Sequence, residues 1–162
     1  MDSWLEHLAQ EMRNRTGDFA ALWSVAADHA GEVVEISHTP PMPALDGFRT
    51  RADFTGYVME EARIFPQSFV HCAVAATIGV EHGAIVWNPL SLSGTLRGSG
   101  RPVDIRFRVE LHFHDRKLVR VVGMQTGATP KADIIDWLRA VEDVGGFNPP
   151  PALPAMSPHI PG

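Results

Sequence analysis

The sequence predicts a single α+β domain, in which a curved antiparallel sheet and N-terminal helices form a cone-shaped α+β barrel with a central cavity. Three observations predict it. Apolar residues recur at helical spacing in the N-terminal part of the chain. From Phe69 to Thr126 the period changes to two. The alternating segments are joined by turns too short for anything but antiparallel neighbours.

The elements follow in order. Ser3 and Glu6 make a capping-box pattern, and Trp4, Leu5, Leu8 and Met12 then form a helical stripe. Asp18 caps a second helix with Phe19, Leu22, Trp23 and Ala26 on one face. Glu32 to Ser37 reads as a short strand, and the prolines at 40, 41 and 43 forbid its continuation because they lack the N–H. Thr50 and Asp53 start a third helix with Phe54, Tyr57, Val58, Ala62 and Phe65 inward, and Pro66 stops it. Strands are expected over Phe69–Ile78, Ala84–Leu92, Val103–His114 and Leu118–Thr126. Pro89 marks a bulge or an edge. Thr129 and Pro130 signal the start of a last helix carrying Ile134, Ile135, Leu138 and Val141, closed by Gly145 and Gly146. The domain is placed at residues 1–146, and the six prolines of 147–162 make a tail that is expected to be extended or disordered.

Composition narrows the function classes. The 162 residues suffice for one core. A formal net charge of −5 without a basic patch argues against nucleic acid. No run reaches the ~18 apolar residues of a membrane span, and the N-terminus lacks the basic and apolar regions of a signal peptide, so a cytoplasmic protein is expected. Cys72 is the single cysteine, which rules out an intrachain disulfide, and its apolar surroundings predict a buried, inert thiol. No nucleophile motif, phosphate loop or dinucleotide fingerprint is present, so no cofactor is expected. His112 and His114 share a strand face, but alternation turns them away from the core and no spacing supplies further ligands, so no metal is expected either.

Three stretches resemble a known family. Gly47-Phe48-Arg49 through Phe65-Pro66 is similar to its helix that begins after a glycine and ends in Phe-Pro. Ser99-Gly100-Arg101-Pro102-Val103 is similar to its small-Gly-Lys-Pro-Val hairpin. Phe113-His114-Asp115-Arg116-Lys117-Leu118-Val119 is similar to its Phe-x-Asp-Gly-Lys-Ile-Val turn. In their order and spacing these resemble the nuclear transport factor 2-like superfamily and its SnoaL-like group of polyketide cyclases, ketosteroid isomerases and limonene-epoxide hydrolases. The resemblance implies a ligand cavity and a homodimer through the polar sheet face. It also places Leu90, Leu92 and Thr126 where the epoxide hydrolases carry an Asp-Arg-Asp triad, and Ile36 near the isomerase base, so both catalytic sets are unmatched.

The candidate site follows from both lines. His38, between a strand and a rigid proline-rich loop, is the candidate acid–base group, because imidazole exchanges protons near neutrality. Asn88 is the candidate polarising group, on the same strand face as Leu90 and Leu92. Ile36, Trp23, Tyr57, Leu90, Leu92, Met124 and Thr126 are the candidate substrate-binding residues. The expected ligand is a hydrophobic small molecule. The chain is then either a cofactor-independent lyase, isomerase, cyclase or hydrolase, or a non-catalytic binding or assembly module of the same fold.

Overall fold

The computed structural model describes residues 3–43, 45–126 and 129–145; the proline-rich tail lies outside them. Helix α1 (Ser3–Arg13) buries Leu5, Leu8, Ala9 and Met12, a single stripe at helical spacing. Helix α2 (Phe19–Ala27) starts at Asp18, whose carboxylate accepts the Ala21 N–H at 3.0 Å. Strands β1 (Ala30–Thr39) and β2 (Gly47–Thr50) precede helix α3 (Arg51–Gln67). Thr50 caps α3 by accepting the Asp53 N–H at 3.2 Å. The helix runs one residue past Pro66, which sits in its last turn. Strands β3 (Phe69–Glu81), β4 (Ala84–Leu96), β5 (Pro102–His114) and β6 (Lys117–Gln125) follow, then helix α4 (Lys131–Asp143). Asp18→Ala and Thr50→Ala are each expected to cost about 1 kcal/mol, since one helix-end N–H loses its acceptor. The measurement is the urea midpoint, which falls at unchanged slope if the caps act as described.

The sheet has six strands in the order β2-β1-β6-β5-β4-β3. Strands β3 to β6 form the expected antiparallel meander. Strand β1, however, pairs parallel with β6, and the short β2 pairs antiparallel with β1. Among the described residues the sheet is therefore mixed and open at both edges, where the sequence led to the expectation of an antiparallel one. Alternation reports which face a residue takes, and carries nothing about the direction of a partner eighty residues away. The four residues of β2 are too few to show a period.

Two local features shape the sheet. At Gly94, with φ +155°, a Cβ would lie 1.7 Å from the His71 carbonyl oxygen, so only glycine lets β3 close on β4 there. At Asn88 and Pro89 the β4–β5 register shifts between Trp87 and Leu90. Trp87, Leu90 and Leu92 are all buried, and Asn88 is exposed. The bulge resets the alternation and turns Asn88 outward.

The concave face and the helices enclose the core. Trp87, Phe54, Met12, Leu22 and Trp137 are fully buried, and the Trp87 indole N–H points to the Met12 sulfur at 3.3 Å. Strand β5 presents Ile105, Phe107, Val109 and Leu111 inward. Its other face carries Arg106 on Asp104 at 2.9 Å, Arg108 between Glu81 and Glu110, and His112 on Glu110 at 3.0 Å. His112 is thus engaged in the surface ion-pair network. Thr129 does not cap α4; its hydroxyl accepts the Arg106 N–H at 2.9 Å and ties the loop before α4 to β5, while Pro130 stands at the cap position. Arg101 bonds Asp133 and Asp136, holding α4 across the end of the sheet.

Candidate acid–base site in an apolar cavity

A cavity of about 50 Å³ lies between the concave face of the sheet and helices α2, α3 and α4. Trp23, Phe54, Phe65, Leu90, Leu92 and Trp137 give it an apolar wall; His38, Tyr57 and Glu61 are its polar groups. A second lobe of about 110 Å³ shares His38, Met42, Phe107, Gly123 and Trp137 with the first and reaches Gln125 and Leu138. His38 lines both lobes.

The position of His38 has a local cause. In the parallel β1–β6 pairing His38 stands beside Gly123. A Cβ on residue 123 would lie 2.7 Å from the His38 Cδ2 and 3.1 Å from Nε2. The imidazole therefore occupies space that only glycine leaves open. Beyond Thr39 the chain turns back through its prolines, with the N–H groups of Leu45 and Asp46 bonded to the Met42 carbonyl. This brings Asp46 to His38: Nδ1 and the carboxylate are 2.5 Å apart. The other carboxylate oxygen accepts the Met42 N–H at 2.9 Å. A carboxylate only accepts, so Nδ1 is the donor of this pair, and in the neutral ring the lone pair then lies on Nε2.

A second polar group faces the cavity from α3. Glu61 is buried and bonded to Tyr57 one turn earlier on the same helix. Burial raises the Glu61 carboxyl from 4.5 to about 7, with Tyr57 and Arg49 acting in the opposite direction. Burial, then Glu61, holds the Tyr57 phenol well above its ordinary range, so it stays protonated and donates. Arg49 reaches in from β2, 3% exposed, with its guanidinium 3.9 Å from the centre of the Tyr57 ring. Its Nε and Nη2 have no hydrogen-bond partner among the described residues.

Six of the residues expected at the site line the cavity: His38, Ile36, Trp23, Tyr57, Leu90 and Leu92. Asn88 does not, because the bulge exposes it. Met124 also lies outside the lining. The inward face of β6 carries Val121, Gly123 and Gln125, so Met124 falls on the opposite face, paired with Arg108. Thr126 follows the end of β6, and its buried hydroxyl has no partner among the described residues.

No protein-family model and no curated protein matches the sequence. Solved structures are similar. One is a protein described as an isomerase from Bacillus subtilis, at 12% identity and TM-score 0.53, covering 84% of this chain and 97% of that one. Another is AclR, described as a hydroxylase, from Streptomyces galilaeus, at 18% identity and TM-score 0.51, covering 78% and 92%. A protein described as a SnoaL-like polyketide cyclase, from Jannaschia sp. CCS1, aligns at 13% identity and TM-score 0.49, covering 72% and 84%. The fold is the nuclear transport factor 2-like fold.

Within this NTF2-like cone, sequence reading missed three residues of the site. Asp46 lies only eight residues after His38, but its pairing with the ring depends on the path of a proline-rich turn. Glu61 had a readable signal: it lies four residues after Tyr57 and four before Phe65, inside the apolar stripe of α3, where a carboxylate is out of place. Arg49 had none, because four residues of strand cannot reveal that Phe48 faces solvent and Arg49 the interior. Cys72 is partly buried, and desolvation raises its thiol to about 11, which leaves it inert at neutral pH. No helix among the described residues is long and apolar enough to cross a membrane.

Proposed function

We propose that the chain is a cofactor-independent enzyme that moves a proton on a hydrophobic small molecule, with His38 as the acid–base group. The observation that carries this reading is the His38–Asp46 pair at 2.5 Å at the junction of two apolar lobes. Asp46 orients the ring and holds the tautomer; Nε2 takes the proton from the substrate and returns it. The aromatic and aliphatic wall binds the substrate's carbon skeleton and keeps bulk water away from the exchanging proton. Lyase, isomerase and cyclase reactions share this requirement and need no group beyond the side chains present.

The test is turnover of a panel of apolar carbonyl compounds, followed by NMR, in the wild type and in His38→Ala. The expected loss is about 10²- to 10⁴-fold with an unchanged melting profile. Saturable binding of the panel with identical turnover in both proteins would leave a binding module of the same fold. A homodimer through the polar face of β3–β6 accompanies this reading, supported by the alternating Arg, Glu and His side chains there, which can pair with a rotated copy. Sedimentation equilibrium is expected to give twice the 17.7 kDa chain mass; a monomer at micromolar concentration would remove the dimer without touching the site.

A further inference from the structure

We infer that Arg49 is a binding site for an anion, and that it takes the carboxylate of an apolar carboxylic acid beside the cavity. The inference goes beyond proton transfer and does not depend on His38. It starts from a charge without a counter-ion. Arg49 is 3% exposed, and its Nε and Nη2 have no hydrogen-bond partner among the described residues. Glu61 and Asp53 act on it through charge alone, with no hydrogen bond. The Tyr57 ring, centred 3.9 Å from the guanidinium carbon, attracts the charge through its π-electrons but gives these N–H groups no acceptor oxygen. A guanidinium stays protonated in a protein, and an unpaired cation is among the most costly groups to bury. A methionine would fill the same space without that cost, so the position is poorly explained by packing.

The placement puts this charge next to the cavity. Arg49 pairs with Val34 across β2 and β1, so it shares the inward face from which Ile36 and His38 line the cavity. Tyr57 and Glu61, also lining residues, both act on its charge. Arg49 itself stands behind Tyr57, outside the lining, so an anion that reaches it displaces the ring that covers it.

The donors select the ligand. The N–H groups of Nε and Nη2 lie parallel on one edge of the planar guanidinium, the fork that holds both oxygens of a carboxylate. Phosphate fits the same fork, but a dianion calls for a second cation, and the charged groups acting on Arg49 are Glu61 and Asp53, both acidic. Ile36, Leu45, Phe54 and Val58 of the adjoining wall take the hydrocarbon part. A monoanion with an apolar body therefore matches both the single charge and the surface beside it. The event is binding alone: no bond forms or breaks.

The experiment titrates the full chain at pH 7.5 with 3-phenylpropanoate, its uncharged counterpart 3-phenylpropan-1-ol, and 2-phenylethyl phosphate, a dianion at that pH. Binding is read by calorimetry and by the ¹H NMR ring signals of Tyr57, the single tyrosine. Wild type is expected to bind the acid about 10- to 10²-fold tighter than the alcohol, with a shift of the Tyr57 signals. Arg49→Met is expected to lose that preference while melting at or above the wild-type temperature, because an unpaired buried charge has gone; a structural arginine would lower it. Arg49→Lys keeps the charge without the fork and is expected to bind the acid about 10-fold more weakly, which covers the case of an Arg49→Met protein that does not fold. His38→Ala is expected to keep the preference. Equal binding of acid and alcohol to wild type, unmoved Tyr57 signals, or unchanged affinity in Arg49→Lys overturns the site. So does a preference that survives in Arg49→Met or vanishes in His38→Ala, since the carboxylate then sits elsewhere. Tighter binding of the phosphate ester overturns the carboxylate class. None of these results bears on proton transfer by His38, which turnover tests separately.

Discussion

Gly123→Ala is expected to lower turnover by about 10²-fold or more, approaching the effect of removing the imidazole itself. The new Cβ would be placed 2.7 Å from the His38 Cδ2 and 3.1 Å from Nε2. That contact cannot persist, and the ring is the movable partner, because residue 123 is locked in the β1–β6 and β5–β6 pairings. A displaced ring gives up the 2.5 Å bond to Asp46 and with it the fixed tautomer. Gly123 has no positive φ, so the backbone itself accepts alanine. The loss should therefore appear in turnover and in the ¹⁵N shifts of the imidazole, with little change in melting temperature. Wild-type turnover in a folded Gly123→Ala protein would mean that the seat of the ring does not govern the chemistry.

Glu61→Gln is expected to change the pH dependence of stability. The folded-state carboxyl lies at about 7 against 4.5 in the unfolded chain. Between these values the folded protein binds more protons than the unfolded one, so stability is highest at low pH and falls as pH rises through about 7. The rise from 4.5 to about 7 corresponds to on the order of 3 kcal/mol. Burial causes it, and a neutral amide does not suffer it. Urea denaturation at pH 5 and pH 8 should show wild type losing on the order of 3 kcal/mol more than Glu61→Gln over that interval. Equal losses in the two proteins would mean that Glu61 is solvated in the folded state.

Much of the architecture was legible because it is local. The capping of α2 by Asp18 and of α3 by Thr50, the inward set Ile105, Phe107, Val109 and Leu111 of β5, and the bulge at Pro89 all follow from periodicity and the missing proline N–H. His38 was legible as an ionisable group next to a rigid turn. Asn88 and Met124 misled for different reasons. For Asn88 the alternation along the strand is reset by a two-residue bulge; for Met124 the face was taken from the family resemblance, and its pairing with Arg108 puts it on the outer face.

The sequence by itself determined the helices, the meander, the apolar character of the interior and most of the cavity wall, since each depends on residues a few positions apart. Only the tertiary structure decided how the site is wired. The parallel pairing of β1 with β6 seats the imidazole over Gly123, the turn through the prolines delivers Asp46, and the packing of β2 beneath α3 sets Arg49 against Tyr57 beside Glu61. These are contacts between segments whose separate patterns are indifferent to one another, and the energy that selects them comes from burying the core as a whole.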